Sequence, residues 1–179
     1  FGETILRIIA FEEHFSLREL ATIRRDYMNR IQLPVREKAG GMSNVGQLLS
    51  DFEEIRLPEM DRYGITRQVL ATGSPGIQGL TDPREAVRLA ARANDFLAEQ
   101  VHRRSDRFSG LAALPLQDPP AAARELERSV LELGLSGAMV HGHTNGLYLD
   151  DPSVWCVWER AAALDVPIYI PPTDPIPGQ

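Results

Sequence analysis

The chain contains 179 residues with a formal net charge of −6 at pH 7, of which 43% are hydrophobic and 25% are charged. This composition is ordinary for a globular protein with a buried core, and the net negative charge argues against nucleic-acid binding, which requires a basic surface. Cys156 is the only cysteine and no apolar run reaches the length of a membrane span, so we expect no intrachain disulfide, no membrane association and a cytoplasmic location.

The first predicted element is a strand that ends in two carboxylates and an imidazole. Residues 8–11 are continuously apolar, which predicts a strand that is buried on both faces. Because successive side chains of a strand point to opposite faces, we expect Glu12 and His14 on one face and Glu13 on the other. A carboxylate and an imidazole that converge in this way suit zinc, manganese or iron. The pattern also fits a strand that runs into a solvated turn, with His14 merely hydrogen-bonded.

The next stretch is predicted to be helical over residues 17–31, and a long loop follows over residues 33–44, which contain Pro34 and a Gly-Gly pair. A loop of this length is typical of a lid or binding loop, and a plain surface loop is the alternative. Residues 52–63 form the next predicted helix, with Gly64 at its C-terminal cap. The second strand is predicted over residues 68–72.

Two helices begin with the same Asp-Pro signal. Asp82 and Asp118 are predicted N-caps, each followed by a proline at the first helical position. The first of these helices carries Asn94 and Asp95 in its middle, where both residue types have poor helix propensity. We expect an exposed face for them, and a buried or hydrogen-bonded role is the alternative. The third strand is predicted over residues 108–116.

The fourth predicted strand, residues 137–141, ends in histidines. His141 and His143 are two positions apart, so they would share a face if the strand extends that far. Asp151 and the following proline begin one more helix, whose two tryptophans, Trp155 and Trp158, we expect in the core. A fifth strand is predicted over residues 166–170.

Five strands that alternate with helices predict a parallel α/β sheet built from βαβ units. Pairs of polar residues recur at the carboxyl ends of three of these strands: Glu12 and His14, His141 and His143, and Thr173 and Asp174. In a (β/α)8 barrel that rim carries the active site. The sequence contains no dinucleotide-binding glycine motif, no phosphate-binding loop and no Gly-x-Ser-x-Gly nucleophile elbow. The pattern therefore favours a barrel over a doubly wound sheet, and we predict a single domain, residues 1–179, that is an incomplete TIM-like barrel of about five βα units.

Several short segments also carry a resemblance to a known family. They are AFEEHF at residues 10–15, ANDFLAE at residues 93–99, RF at residues 107–108, AALPLQDP at residues 112–119, LG at residues 133–134 with GA at residues 137–138, and LDVPIY at residues 164–169. Together these segments resemble the amidohydrolase-related metal-dependent decarboxylases, which act on substrates of the γ-resorcylate and aminocarboxymuconate semialdehyde type. The similarity covers almost the whole chain.

The resemblance implies a divalent-metal TIM barrel, with zinc or manganese held by Glu12 and His14. It also implies a small aromatic or unsaturated carboxylic acid as substrate. By their positions, we assign the binding of this substrate to His141, His143 and Asp174. In such decarboxylases the metal stabilises charge as carbon dioxide leaves, whereas hydrolytic relatives use it to generate hydroxide. A carbon–carbon lyase is the closer match, and a hydrolase of the same superfamily is the alternative.

Two departures from the family pattern are visible. Pro171 stands where the family has a metal-binding histidine, and the chain stops after the fifth strand. A non-catalytic scaffold or binding protein is therefore a further alternative, and an unrelated α/β binding domain is the last. Because five strands cannot close a barrel, we expect either a fragment of a longer chain, completion by other chains, or edges covered in a homo-oligomer.

Overall fold

The computed structural model describes residues 7–30 and 45–173, over which strands and helices alternate. The strands are Ile8–Phe15 (β1), Ile65–Thr72 (β2), Phe108–Gly110 (β3), Ala112–Ala113 (β4), Ala138–Met139 (β5), His143–Thr144 (β6), Leu147–Tyr148 (β7) and Ile168–Tyr169 (β8). The α-helices are Ala21–Arg30 (α1), Val45–Ser50 (α2), Arg56–Arg62 (α3), Pro83–Arg103 (α4), Pro119–Leu131 (α5) and Trp155–Leu164 (α6). Short 3₁₀ turns cover Gly76–Gly79 and Pro152–Val154.

The main strands are parallel and lie side by side in chain order. One ladder joins β1, β2 and β3, and a second joins β4, β5 and β8. Only Leu111 separates β3 from β4, and its N–H donates to the Leu70 carbonyl, so one stretch of chain belongs to both ladders. The result is an arc of five parallel strands, which confirms the predicted parallel α/β sheet. That residues 1–179 form one domain stays a prediction.

The predicted helix starts follow from local side-chain chemistry. Asp82 accepts a hydrogen bond from the N–H of Arg84 (2.8 Å), and Asp118 accepts one from the N–H of Ala121 (3.0 Å). Asp151 caps the 3₁₀ turn that leads into α6 in the same way. These bonds satisfy N–H groups that have no partner inside a helix, which confirms all three predicted starts.

Apolar side chains lie on both faces of the sheet. The larger core packs the helices against the outer face, and its fully buried members include Leu70, Leu97, Phe108, Leu126 and Val157. A smaller cluster of Ala71, Leu111 and Met139 lies on the inner face, where Val69 and Tyr169 pack against it. Leu70 and Ala71 belong to different clusters because neighbouring strand residues point to opposite faces.

The prediction that β1 is buried on both faces is wrong. Ile9 is 57% exposed and Phe11 is 50% exposed. A continuous apolar run predicts packing partners on both faces, but among the described residues β1 is the edge strand of its sheet, and the elements around it leave these two side chains uncovered. The register of this pair also shifts between Ala10 and Glu13, where the strand bulges.

Other differences concern single side chains and strand lengths. Asn94 is only 1% exposed, so the predicted exposed face holds for Asp95 alone. Trp155 is 54% exposed, so its predicted core position is wrong, whereas Trp158 is partly buried against the core. The fourth strand ends at Met139, because the chain then turns into a separate antiparallel hairpin formed by β6 and β7. The predicted loop over residues 33–44 lies outside the described residues.

Candidate active site at the carboxyl end of the sheet

Glu12 and His14 lie at the carboxyl end of β1, as predicted. Glu12 occupies the bulge with a positive φ of 68°, which is uncommon for a residue other than glycine. The strict alternation that predicted a shared face for the two side chains is interrupted at this bulge. Both side chains nevertheless act electrostatically on the same group, the imidazole of His141.

The two β1 side chains differ in what they contact. The Glu12 carboxylate accepts a hydrogen bond of 2.6 Å from the hydroxyl of Tyr169, on β8. This bond raises the pKa of Tyr169, because the phenol is held protonated by the carboxylate. The His14 ring lies beside Gly73, and its Nδ1 is buried without a hydrogen-bond partner in the described part of the chain. A buried nitrogen without a partner is unusual in proteins and is a natural position for a ligand.

Arg56 holds the end of β1 from the other side. Its guanidinium donates to the carbonyl of His14 (2.8 Å) and to the side-chain oxygen of Gln68 (3.0 Å). Burial lowers the pKa of Arg56, and the charges of Glu13 and Asp51 oppose this change. The backbone that carries His14 is therefore held by a partly buried cation from α3.

His141 follows β5 and faces the same region. It is 4% exposed, and neither of its ring nitrogens has a hydrogen-bond partner among residues 7–30 and 45–173. Burial lowers its pKa to about 4, and the neighbouring His14 and His143 add to this effect while Glu12 opposes it. The imidazole is therefore neutral at pH 7, and one of its nitrogens offers a free lone pair.

Gly73 and Gly76, in the turn after β2, border the two imidazoles. A Cβ atom on Gly73 would lie 3.5 Å from the His14 ring. A Cβ atom on Gly76 would lie 3.4 Å from Nε2 of His141 and 3.0 Å from the hydroxyl of Thr72. Gly76 also has a positive φ of 56°, so glycine is favoured at this position, whereas a Cβ on Gly73 would make an ordinary van der Waals contact with the His14 ring.

The remaining predicted substrate residues have different positions. His143 is on β6, half-buried, with its ring edge-on to Tyr148 at a centroid distance of 6.0 Å. Asp174 lies outside the described residues. Its neighbour Thr173 accepts a hydrogen bond from the N–H of Gly142 (3.1 Å), so the end of the fifth strand contacts the segment between the two histidines.

Sequence reasoning missed Gln78, which lies in the turn Gly76–Gly79. Its side-chain amide is buried and bonds to the segment from His141 to Thr144. No local pattern marks a single glutamine in a turn, because its partners come from a segment more than 60 residues later. The same limit applies to Arg56 and Tyr169.

A cavity of about 220 Å³ is bordered by Gly73 and Gly76, and Glu12, His14 and His141 are not among its lining residues. Its apolar walls include Phe15, Leu20 and Ile23, and its polar groups include Thr72, Ser74 and Arg24. An apolar cavity with a few polar groups is typical of a small-molecule site.

The donor chemistry of Glu12 and His14 fits a divalent metal in kind, since a carboxylate and an imidazole bind zinc and manganese. The unpartnered Nδ1 of His14 supports this fit. Within the described ranges, however, no group of three or more His, Cys, Asp or Glu side chains could hold a metal ion. Pro171, buried after β8, has no side-chain donor. That Glu12 and His14 bind a metal therefore stays a prediction.

Comparisons with known proteins bear on the fold and on the family resemblance. The family model described as "Amidohydrolase" matches residues 14–177. The chain is 41% identical over 176 residues to the γ-resorcylate decarboxylase of Polaromonas sp. strain JS666, covering 95% of the chain and 51% of that protein. The chain thus spans about half the length of the curated relatives it matches.

Solved structures give the same result. A crystal structure of 2,6-dihydroxybenzoate decarboxylase complexed with 2,6-dihydroxybenzoate matches with a TM-score of 0.82 and 37% identity, covering 96% of the chain and 51% of that protein. The 5-carboxyvanillate decarboxylase of Novosphingobium aromaticivorans, complexed with manganese and 4-hydroxy-3-methoxy-5-nitrobenzoic acid, matches with a TM-score of 0.83 and 34% identity, covering 96% and 52%. These matches confirm the predicted resemblance and the incomplete barrel fold. Over the part of the chain described, no helix has the length and apolarity needed to cross a membrane.

Proposed function

Because the chain belongs to the amidohydrolase family, we propose that it acts in the divalent-metal-dependent decarboxylation of a small aromatic carboxylic acid. The observation that carries this proposal is the pair Glu12 and His14 at the end of β1, with the buried, unpartnered Nδ1 of His14. Relatives whose names include dihydroxybenzoate and carboxyvanillate support an aromatic acid as substrate.

Glu12 and His14 would hold the metal, and its further ligands would come from outside the described residues. When bound, a divalent ion acts as a Lewis acid that orients an anionic substrate and stabilises developing negative charge. The manganese in the related carboxyvanillate decarboxylase favours manganese over zinc.

The neutral imidazole of His141 would hydrogen-bond to a polar group of the substrate, because both its nitrogens are buried and unpartnered among the described residues. Phe15 and Ile23 would contact the ring, since they line the apolar part of the adjacent cavity. Arg24, at the same cavity, would attract a carboxylate. We also assign substrate contacts to His143 and Asp174.

A non-catalytic scaffold is the second candidate function. It is favoured by Pro171, which removes a side-chain donor at the position where the family resemblance implies a metal-binding histidine. The exposed apolar edge of β1, with Ile9 and Phe11, supports association with a further copy or with additional strands. A homo-oligomer and a cytoplasmic location stay predictions.

Metal analysis of the purified protein separates the two candidates. We expect stoichiometric manganese or zinc in the wild type, and a loss of metal affinity of at least about tenfold in Glu12→Ala and His14→Ala. Glu13→Ala is the matched control, because Glu13 is the adjacent carboxylate and interacts with Arg56. Tyr169→Phe removes the hydrogen bond to Glu12 but no ligand, so we expect it to weaken metal binding as well, through the orientation of the carboxylate.

Activity is then measured as loss of 2,6-dihydroxybenzoate absorbance in the metal-loaded protein. We expect turnover in the wild type and in Glu13→Ala, and none above background in His14→Ala. A natively folded wild type that binds neither metal nor substrate would contradict the proposal and support the scaffold.

A further inference from the structure

We propose that Gln78 is a positioning residue that fixes the segment from His141 to Thr144, and with it the two histidines of the candidate site. The role of those histidines in binding substrate rests on the proposed function, whereas the position of the segment does not. The fixing of the segment is a structural claim that can be tested without turnover.

The side-chain amide of Gln78 bonds to this segment at four points. Its Oε1 accepts from the N–H of His141 (2.6 Å). Its Nε2 donates to the carbonyl of His141 (3.0 Å), the carbonyl of His143 (3.3 Å) and the hydroxyl of Thr144 (2.7 Å). Gln78 is 5% exposed, so these bonds lie in a low-dielectric environment, where a lost partner is costly.

These contacts replace a strand ladder. Val140 still bonds to the neighbouring strand, because its N–H donates to the carbonyl of Tyr169 (3.0 Å). One residue later, the N–H and the carbonyl of His141 both bond to the single amide of Gln78. A primary amide suits this position because it presents a donor and an acceptor side by side, which matches the N–H and carbonyl of one extended residue.

The turn that carries Gln78 is itself anchored. Gln117 donates from Nε2 to the carbonyls of Ile77 (2.8 Å) and Leu80 (2.7 Å), and Arg30 donates to the carbonyl of Gly79 (2.8 Å). Two separate side chains thus hold this turn, so replacing Gln117 leaves the Arg30 bond and the Gln78 amide in place. Replacing Gln78 instead removes the contact between the turn and the segment from His141 to Thr144.

Gln117 provides a matched control. Gln78→Glu and Gln117→Glu each convert a buried amide donor into an acceptor, and both act on the turn Gly76–Gly79. Only Gln78 bonds to the histidine segment. Thr144→Val is a milder second variant, since it keeps the shape of the side chain and removes one acceptor of the Gln78 amide.

The measurement is hydrogen exchange of the His141 amide by NMR in the full-length protein. Gln78→Glu keeps an acceptor for this N–H but sets a carboxylate oxygen against the carbonyls of His141 and His143, which pushes the segment away. We expect exchange at least about tenfold faster in this variant and a smaller increase in Thr144→Val, with the wild-type rate in Gln117→Glu. If Gln78→Glu fails to fold, the comparison of Thr144→Val with Gln117→Glu decides. Unchanged exchange in Gln78→Glu, or an equal increase in Gln117→Glu, would overturn the proposal.

Binding of 2,6-dihydroxybenzoate, measured by calorimetry on the same proteins, supplies a readout that general destabilisation does not move. We expect weaker binding by about tenfold in Gln78→Glu and unchanged binding in Gln117→Glu. A wild type that binds no 2,6-dihydroxybenzoate contradicts the proposed function, and the exchange rates then still decide the role of Gln78.

Discussion

Replacing Asn94 with aspartate tests how α4 is joined to the sheet. The Asn94 amide donates to the carbonyl of Ala113 (3.0 Å) and to a carboxylate oxygen of Glu125 (2.7 Å), and its oxygen accepts from the N–H of Ala113 (2.8 Å). Aspartate has nearly the same shape but no donor when ionised. The new carboxylate oxygen would then face two other acceptors inside the protein, the carbonyl oxygen of Ala113 and the carboxylate oxygen of Glu125.

The size of the effect follows from the groups that lose a partner. The carbonyl of Ala113 becomes a buried acceptor without a hydrogen bond, which costs about 1–3 kcal/mol. Glu125 keeps its bond to Arg128 (2.8 Å), so the added repulsion contributes roughly 1–2 kcal/mol more. We expect Asn94→Asp to lower the free energy of unfolding by about 2–5 kcal/mol at pH 7, a large part of the total stability of a domain.

Equilibrium unfolding in urea at pH 7 measures this loss as a lower midpoint with an unchanged slope. Asp95→Asn, the reverse change at the next residue, is the matched control. Asp95 is exposed and forms an ion pair with Arg128 (2.7 Å), so we expect a loss below about 1 kcal/mol. The reasoning is refuted if Asn94→Asp lies within about 1 kcal/mol of the wild type, or if the two variants lose equal stability.

Three further predictions use the same unfolding assay. Gly76→Ala should lower the free energy of unfolding by about 1–2 kcal/mol, since φ is 56° there and the new methyl would meet a threonine hydroxyl. Its control is Gly46→Ala, in open space within α2, which should be neutral or slightly stabilising. Phe108→Ala should lose about 3–5 kcal/mol because the ring is fully buried, and the exposed Trp155→Ala should lose under about 1 kcal/mol. For Asp51, burial acts to raise the pKa, but hydrogen bonds from the backbone of residues 54–56 and the charge of an arginine lower it. The stabilising effect of the ionised carboxylate is therefore present above pH of about 4 and is lost as the pH falls below that value. The free energy of unfolding of Asp51→Asn should thus be lower than that of the wild type at pH 7, and the two values should converge in acid.

Each of these predictions has a contradicting result. Equal stabilities of Gly76→Ala and Gly46→Ala would contradict the backbone strain assigned to the turn after β2. A larger loss of unfolding free energy for Trp155→Ala than for Phe108→Ala would contradict the exposed position of the tryptophan. A difference between Asp51→Asn and the wild type that grows on acidification would reverse the sign of the pKa shift.

The parts of the fold that the sequence predicts correctly depend on short-range chemistry. Asp82, Asp118 and Asp151 each bond to an N–H two or three residues ahead, so the residues that form the cap are adjacent in the chain. Gly64 follows α3 with a positive φ of 67° for the same local reason. The parallel sheet is predicted because strand and helix patterns alternate over the whole chain.

The parts that are missed depend on contacts between distant segments. Asn94 is buried because Ala113 and Glu125 offer it partners, and nothing near residue 94 reveals them. The apolar run of β1 indicates a buried strand, but burial depends on which elements cover it. The candidate site divides in the same way: the Glu12–His14 pair is visible as a motif, whereas the amide of Gln78 acquires its role only when two turns meet.

The chain-order pairing of the parallel strands also bears on how the protein folds. Each strand finds its partner among residues synthesised just before it, so the sheet can grow one βαβ step at a time as the polypeptide leaves the ribosome. The steps are not equal, because residues 16–64 separate β1 from β2 whereas residues 114–137 separate β4 from β5. The segment between β1 and β2 is about twice as long, so closing it costs about 0.6 kcal/mol more in chain entropy. Pairing of β1 with β2 is therefore the less favoured of the two steps.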